Sequence, residues 1–326
     1  MKFIKFSTVQ CVLLFLAMVT PALPAGAQTF PNKPIRLMVG FPPGGGTDIT
    51  ARLLATKLGD HLGQPVVVEN RPGAAGTIAA KQIAKSEPDG YRILMTASGT
   101  FIHSVLSSGP AYNIESELTP ISMVSVSPLV VMVGSSVPVR DIGELIELAR
   151  SKSGQMTFGS DGIGSTGHLA GELFNSMAKV KMLHVPYKGS GDVVVALASG
   201  QVDVIFPSMA AATPLLKSGK FRALAVTSIK RSTLLPSIPS LDESGLSGFD
   251  LVAWFALVGP VGMPQAVVEK LNAAIIKVVG ESDVKDTVGK QGMELQAGSP
   301  EMFSKYLRES GASISRLGKQ ANIKLE

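Results

Sequence analysis

Apolar runs of strand length alternate with helix-period segments almost from one end of this 326-residue chain to the other. That alternation restricts the fold most. A strand that returns through a helix re-enters its sheet in the same direction, which builds a parallel α/β layer. Strands are expected at 35–41, 66–70, 92–96, 129–133, 156–159, 183–187, 202–206, 223–227 and 252–258. Thr47 or Asp48 can cap a helix running to about Leu62, with Ile49, Leu53, Leu54 and Leu58 on its inward face. Asp141 with Glu144 forms a capping box, and Ser299 before Pro300 marks another helix start.

The first 27 residues have the anatomy of an export signal: Lys2 and Lys5, an apolar run from Val9 to Val19, then Ala25-Gly26-Ala27. The apolar run is too short for a membrane span, which needs about 20 residues, and no later stretch of that length lacks polar interruption. The mature chain is therefore expected to be exported, without membrane insertion. Its single cysteine, Cys11, lies inside the signal, which argues against disulfides, thiolate chemistry and a lipid anchor. Without Lys2 and Lys5, 28 of the 30 basic residues stand against 25 acidic ones, with no basic block carrying aromatics. No nucleic-acid partner is expected.

The chain beyond residue 27 exceeds the roughly 250 residues at which one core gives way to two. The Ser- and Val-rich segment 120–133 is the candidate first crossing between lobes, and the polar run 232–250 precedes the second. Lobe 1 is expected at 28–128 with 252–326, and lobe 2 at 129–251.

Two glycine-rich turns carry the functional argument. The first strand runs into Phe41-Pro42-Pro43-Gly44-Gly45-Gly46-Thr47-Asp48. Backbone N–H groups unshielded by side chains converge at such a turn, ahead of the positive end of a helix, and suit an anionic group. A tight strand-to-helix connection would use the same glycines. Neither a Walker loop nor the G-x-G-x-x-G dinucleotide spacing is present, so the guest is smaller than a nucleotide. The second turn carries Ser160, Gly162, Gly164, Ser165, Thr166 and His168. His168 reads as a base, a metal ligand or, with Glu172 one turn later, a capping or hydrogen-bonded side chain.

Ala97, Ser98 and Thr100 follow the third strand and bring hydroxyls to the same sheet edge as the first turn. Arg71 could meet an anion or pair with Glu69, Asp48 or Asp89. Lys188, in Tyr187-Lys188-Gly189, could add positive charge or be solvated. His61, His103, His168 and His184 show no H-E-x-x-H spacing, and no serine sits in G-x-S-x-G. No catalytic group, metal or cofactor is expected.

These turns join other phrases: Phe30-Pro31-x-Lys33-Pro34-Ile35-Arg36, Glu69-Asn70-Arg71-Pro72-Gly73, Pro88-Asp89-Gly90-Tyr91, Gly164-Ser165-x-x-His168-Leu169-Ala170-Gly171-Glu172, Val185-Pro186-Tyr187-Lys188-Gly189 and Gly200-Gln201-Val202-Asp203. Together they resemble the Bug or TctC-type periplasmic solute receptors of tripartite tricarboxylate transporters, over essentially the whole mature chain. The resemblance implies a two-lobed type II periplasmic binding protein fold, each lobe a mostly parallel sheet flanked by helices, with the ligand in the interlobe cleft. It implies that Phe41, Pro42, Pro43, Gly44, Gly45, Thr47 and Asp48 face Ser160, Gly162, Gly164, Ser165, Thr166 and His168 across a carboxylate. Ala97, Ser98, Thr100, Tyr187, Lys188, Gly189 and Ser208 carry across as further ligand-facing positions. Phe206-Pro207-Ser208-Met209 departs from the acidic or amide residue often found after that strand, which leaves the ligand's far end open. The implied protein is a monomer that captures a small carboxylate and delivers it to integral-membrane transporter subunits. A sensing receptor and an exported α/β hydrolase are the rival readings.

Overall fold

The computed structural model describes residues 30–44, 46–107, 114–187, 190–290, 292–320, 323 and 325. The expected signal at 1–27 and the site residues Gly45, Lys188 and Gly189 lie outside the described residues. The chain opens with β1 (Ile35–Val39), α1 (Gly46–Leu62), β2 (Val66–Asn70), α2 (Thr77–Ala84), β3 (Arg92–Ala97), α3 (Ser98–Leu106), α4 (Ile114–Glu117) and β4 (Leu118–Pro128). It continues with β5 (Val130–Gly134), α5 (Ile142–Ser151), β6 (Thr157–Ser160), α6 (Thr166–Ala178), β7 (Leu183–Pro186), α7 (Ser190–Ala198), β8 (Val204–Ile205), α8 (Met209–Lys217) and β9 (Phe221–Val226). It closes with β10 (Val252–Pro260), α9 (Gln265–Gly280), α10 (Ser282–Lys290), β11 (Glu294–Leu295) and α11 (Pro300–Gln320).

Two sheets result, ordered β11-β4-β10-β3-β1-β2 and β7-β6-β8-β5-β9. Successive strand residues point to opposite faces, and here both faces are apolar. In β1, Leu37 and Val39 pack on the side of α1 and α9, while Met38 packs on the side of α2 and α3. In β5, Val131 and Val133 join one core and Val130 and Met132 another. Burial on both sides is why these strands read as continuous apolar runs rather than alternating ones.

The expected mostly parallel sheets are present, each interrupted by a strand that runs the other way. β1 is parallel to β2 and β3, and β6 to β7 and β8. However, β10 is antiparallel to β3 and β4, and β5 is antiparallel to β8 and β9. Each sheet is mixed. The reason is connectivity: β4 leads into the second sheet and β10 leads back, so the two neighbours run in opposite directions. The segment expected as the first crossing, 120–133, consists of most of the long strand β4 followed by the expected strand β5.

The crossings are tied together. Thr227, fully buried, donates its N–H to the Leu129 carbonyl (3.0 Å), accepts from the Leu129 N–H through Oγ1 (2.9 Å) and accepts from the Leu251 N–H (3.0 Å). One residue thus joins both passages. Elsewhere Leu169 of α6 packs into the apolar cluster of Phe101, Leu106 and Leu317, which come from the first-sheet half.

Candidate functional site

At the first turn the determining side chain is Asp48, only 2% exposed. Its Oδ2 accepts from the Gly44 N–H (2.9 Å) and from Arg52 Nε (3.0 Å), and its Oδ1 accepts from Asn70 Nδ2 (2.8 Å). Burial pushes this carboxyl upward, but the bonds from Arg52, Gly44 and Asn70 outweigh it and hold Asp48 below the usual carboxylate range. Both oxygens therefore shape the turn, and the Gly44 N–H, open to a ligand in the sequence reading, is engaged internally. Pro42, Pro43 and Gly44 are exposed, Phe41 is half-buried and Thr47 is buried.

The neighbouring turn after β2 packs against this one. Gly76 has φ 89°, and a Cβ there would lie 2.6 Å from Thr100 Oγ1. Ala74 and Ala75 also have positive φ, a strained arrangement for residues with a Cβ. Thr100, 1% exposed, donates to the Ala75 carbonyl (2.8 Å), and Thr77 donates to that of Ala74 (2.7 Å). Thr100 thus braces a turn. The acids considered as partners of Arg71 are paired elsewhere: Glu69 with Arg36, Asp48 with Arg52 and Asp89 with Lys33.

In the second turn Ser165 caps α6, its Oγ accepting from the His168 N–H (3.2 Å). The Gly164 N–H donates to His168 Nδ1 (3.0 Å), which makes Nδ1 the acceptor and leaves the ring proton on Nε2. His168 stacks on His184 with ring centroids 3.7 Å apart, and His184 Nε2 lies 2.6 Å from Ser160 Oγ. Burial, aided by His184, lowers the His168 pKa to about 3, and burial lowers that of His184 to about 4. Both rings are neutral near pH 7. The hydrogen-bonded reading of His168 is the one its surroundings fit. Tyr187, half-buried, donates its N–H to the Ser160 carbonyl (2.9 Å) and extends the same edge.

The two turns line one space. A cavity of about 680 Å³ has Phe41, Gly46 and Ile49 on one side, Asp161 and Ser208 on the other, and Trp254 and Phe255 of β10 between them. A smaller cavity of about 110 Å³ shares Asp161, Ser208 and Ala253 with it and is lined further by Ser160, Thr166 and Gly167. Gly46 is the first residue of α1, Thr166 the first of α6, and Ser208 the N-cap of α8. Ser98, the first residue of α3, reaches to 3.3 Å from the Thr166 hydroxyl. Three helices therefore begin at the lining of these cavities and α3 begins beside α6, each presenting the equivalent of roughly half a positive charge and unpaired N–H groups. Among the described residues lining both cavities there is no lysine, arginine or histidine, and Asp161 is the one ionisable side chain.

Several lining residues carry no distinguishing signal in the sequence. Ile49, assigned there to the helix's core face, is 40% exposed and faces the cavity. Phe255, Met293, Ser125 and Ser127 belong to this group as well. Trp254 is the chain's single tryptophan, and that rarity is the signal that could have placed it.

Residues 50–323 match the family described as tripartite tricarboxylate transporter family receptor, TctC. The chain belongs to this family. The receptor is 35% identical over 314 residues to Protein BugT of Bordetella pertussis, covering 92% of this chain and 96% of BugT. Its structure is similar to that of R. palustris Rpa4515 with adipate, at 34% identity and TM-score 0.76, covering 91% of this chain and 100% of that one. It is also similar to the periplasmic binding protein BugD, at 32% identity and TM-score 0.72, with the same coverage of 91% and 100%. The family consists of periplasmic solute-binding receptors rather than enzymes, and the two-lobed α/β fold read from the sequence is the fold of this receptor. No described helix is long and apolar enough to cross a membrane.

Proposed function

We propose that the receptor captures a small carboxylate between its lobes by closing over it, then delivers it in the periplasm to integral-membrane subunits of a tripartite transporter. The observation that carries this reading is that the N-termini of α1, α6 and α8 border two adjoining cavities whose described lining has no basic side chain, with the start of α3 beside that of α6. Dipoles, N–H groups and hydroxyls together stabilise an anion there, each charge-assisted bond being roughly twice as strong as a neutral one. The adipate of Rpa4515, a carboxylate held by a similar fold, supports the ligand class.

In this reading residues 1–27 are the export signal, lobe 1 is 28–128 with 252–326, and lobe 2 is 129–251. Thr166, Gly167, Ser160, Ser98 and Ser208 meet the carboxylate, while Asp48, Thr100 and His168 hold the turns that present it. Closure expels water and strengthens each of these bonds by lowering the local dielectric. Titration calorimetry against a carboxylate panel, paired with small-angle scattering, tests the reading. A saturable heat accompanied by a smaller radius of gyration is expected. A panel that gives no heat would remove the assignment.

A further inference from the structure

The acid end of the ligand accounts for the small cavity, but the larger one has a different chemistry. Phe41 and Phe255 are half-buried at its wall, Met293 closes it and Ile49 stands 40% exposed. An isoleucine left open to water inside a cleft is surface that an apolar group would cover. Across from it stand the small Ser208 and Ala210, which leave width. The cavity, at about 680 Å³, has room for a ring with substituents.

Charge argues in the same direction. A second carboxylate at the ligand's far end would need its own donors or a cation, and the described lining gives no cationic side chain. It gives Asp161, an exposed acid that lines both cavities, so the one carboxylate gripped by the helix N-termini already meets its like charge and a second would add to that repulsion. Asp161 favours neutral or hydrogen-donating substituents instead.

We infer that the receptor's ligands are monocarboxylates carrying a ring-sized apolar remainder, gripped at the acid by the helix N-termini and packed against Ile49, Phe41 and Phe255, with dicarboxylates disfavoured by Asp161. This rests on the proposed carboxylate-receptor function and adds to it the class of acid.

The test uses the full mature chain and four probes: benzoate, cyclohexanecarboxylate, adipate and malate. Two readouts run in parallel, calorimetry and the fluorescence of Trp254, the single tryptophan of the chain, which lines the cavity. The two ring acids should bind at least about tenfold more tightly than either dicarboxylate. Ile49→Ser, at an exposed position where folding is not at stake, should weaken the ring acids by about tenfold. Asp161→Asn should narrow the gap between the two classes by several-fold. Tighter binding of adipate or malate than of both ring acids overturns the inference while leaving the carboxylate receptor standing. Ring-acid affinity insensitive to Ile49→Ser also overturns it. Absence of any signal with all four probes removes both readings together.

Discussion

The hydroxyl of Ser98 lies 3.3 Å from the hydroxyl of Thr166, so the first residues of α3 and α6, helices from opposite lobes, meet between the lobes. Two like-signed dipole ends do not gather without a reason, because each carries partial positive charge. In the proposed function, an anion beside the pair turns that repulsion into attraction.

In the proposed closure, the Ser98–Thr166 contact forms as the lobes come together. Ser98→Ala should therefore cost about 1 kcal/mol of closure free energy, the net worth of a neutral hydrogen bond, and weaken ligand binding about fivefold. Calorimetry and scattering on the same samples check this. Unchanged affinity with an unchanged scattering profile would separate the contact from closure.

Asp48 is expected to matter for stability rather than for direct contact with ligand. Asp48→Asn exchanges charge-assisted bonds to Gly44 and Arg52 for weaker ones and should destabilise the chain by about 2 kcal/mol in urea unfolding. The folded pKa is depressed from 3.8, so this contribution is present above the unfolded value and is lost as pH falls through the lower folded one. The variant should consequently show a flatter stability profile below about pH 4. A wild-type slope in that window would count against the assignment.

The stacked pair His168–His184 makes the protein acid-sensitive over a different range. The unfolded rings take up protons near 6.5, whereas the folded ones resist to about 3 and about 4. Between those limits the unfolded chain holds more protons. The stability is fully present above the unfolded value and falls with pH by about 1.4 kcal/mol per unit for each ring. Urea midpoints measured from about pH 7 to about pH 4.5 should show this decline, and His184→Gln should roughly halve its slope. Identical slopes would locate the acid sensitivity elsewhere.

Gly292 makes a close backbone approach between the halves. A Cβ at this residue, whose φ is 70°, would lie 2.4 Å from the backbone nitrogen of Ala210 at the start of α8. Gly292→Ala should hold the cleft ajar and reduce ligand affinity by more than about tenfold, since backbone rather than a flexible side chain must yield. Gly154→Ala is the control: its φ is 73° but nothing lies within 4 Å, so only backbone strain of about 1 kcal/mol is expected. Equal effects on binding would rule out a role for the Ala210 contact.

Much of the fold was legible because its signals are local. Asp141 accepts from the Glu144 N–H at 2.8 Å, as the capping pattern required, and β2 spans the expected residues 66–70. The glycines of both turns likewise announced positive φ, as Gly44, Gly162 and Gly164 have it. The reversal of β10 was not legible, because it opposes β4 only after the chain has built an entire second sheet between them.

The division within the site has the same origin. Sequence alone determined which residues could form anion-ready turns, since missing side chains and helix starts depend on a few neighbours along the chain. Tertiary structure decided which donors remain available: Gly44 turns inward to Asp48, Thr100 to Ala75 and Gly164 to His168. It also decided that Ile49 and Phe255 share one wall, more than two hundred positions apart in sequence. A hydrogen bond or an apolar contact depends on distance in space, and only the packed chain fixes that distance.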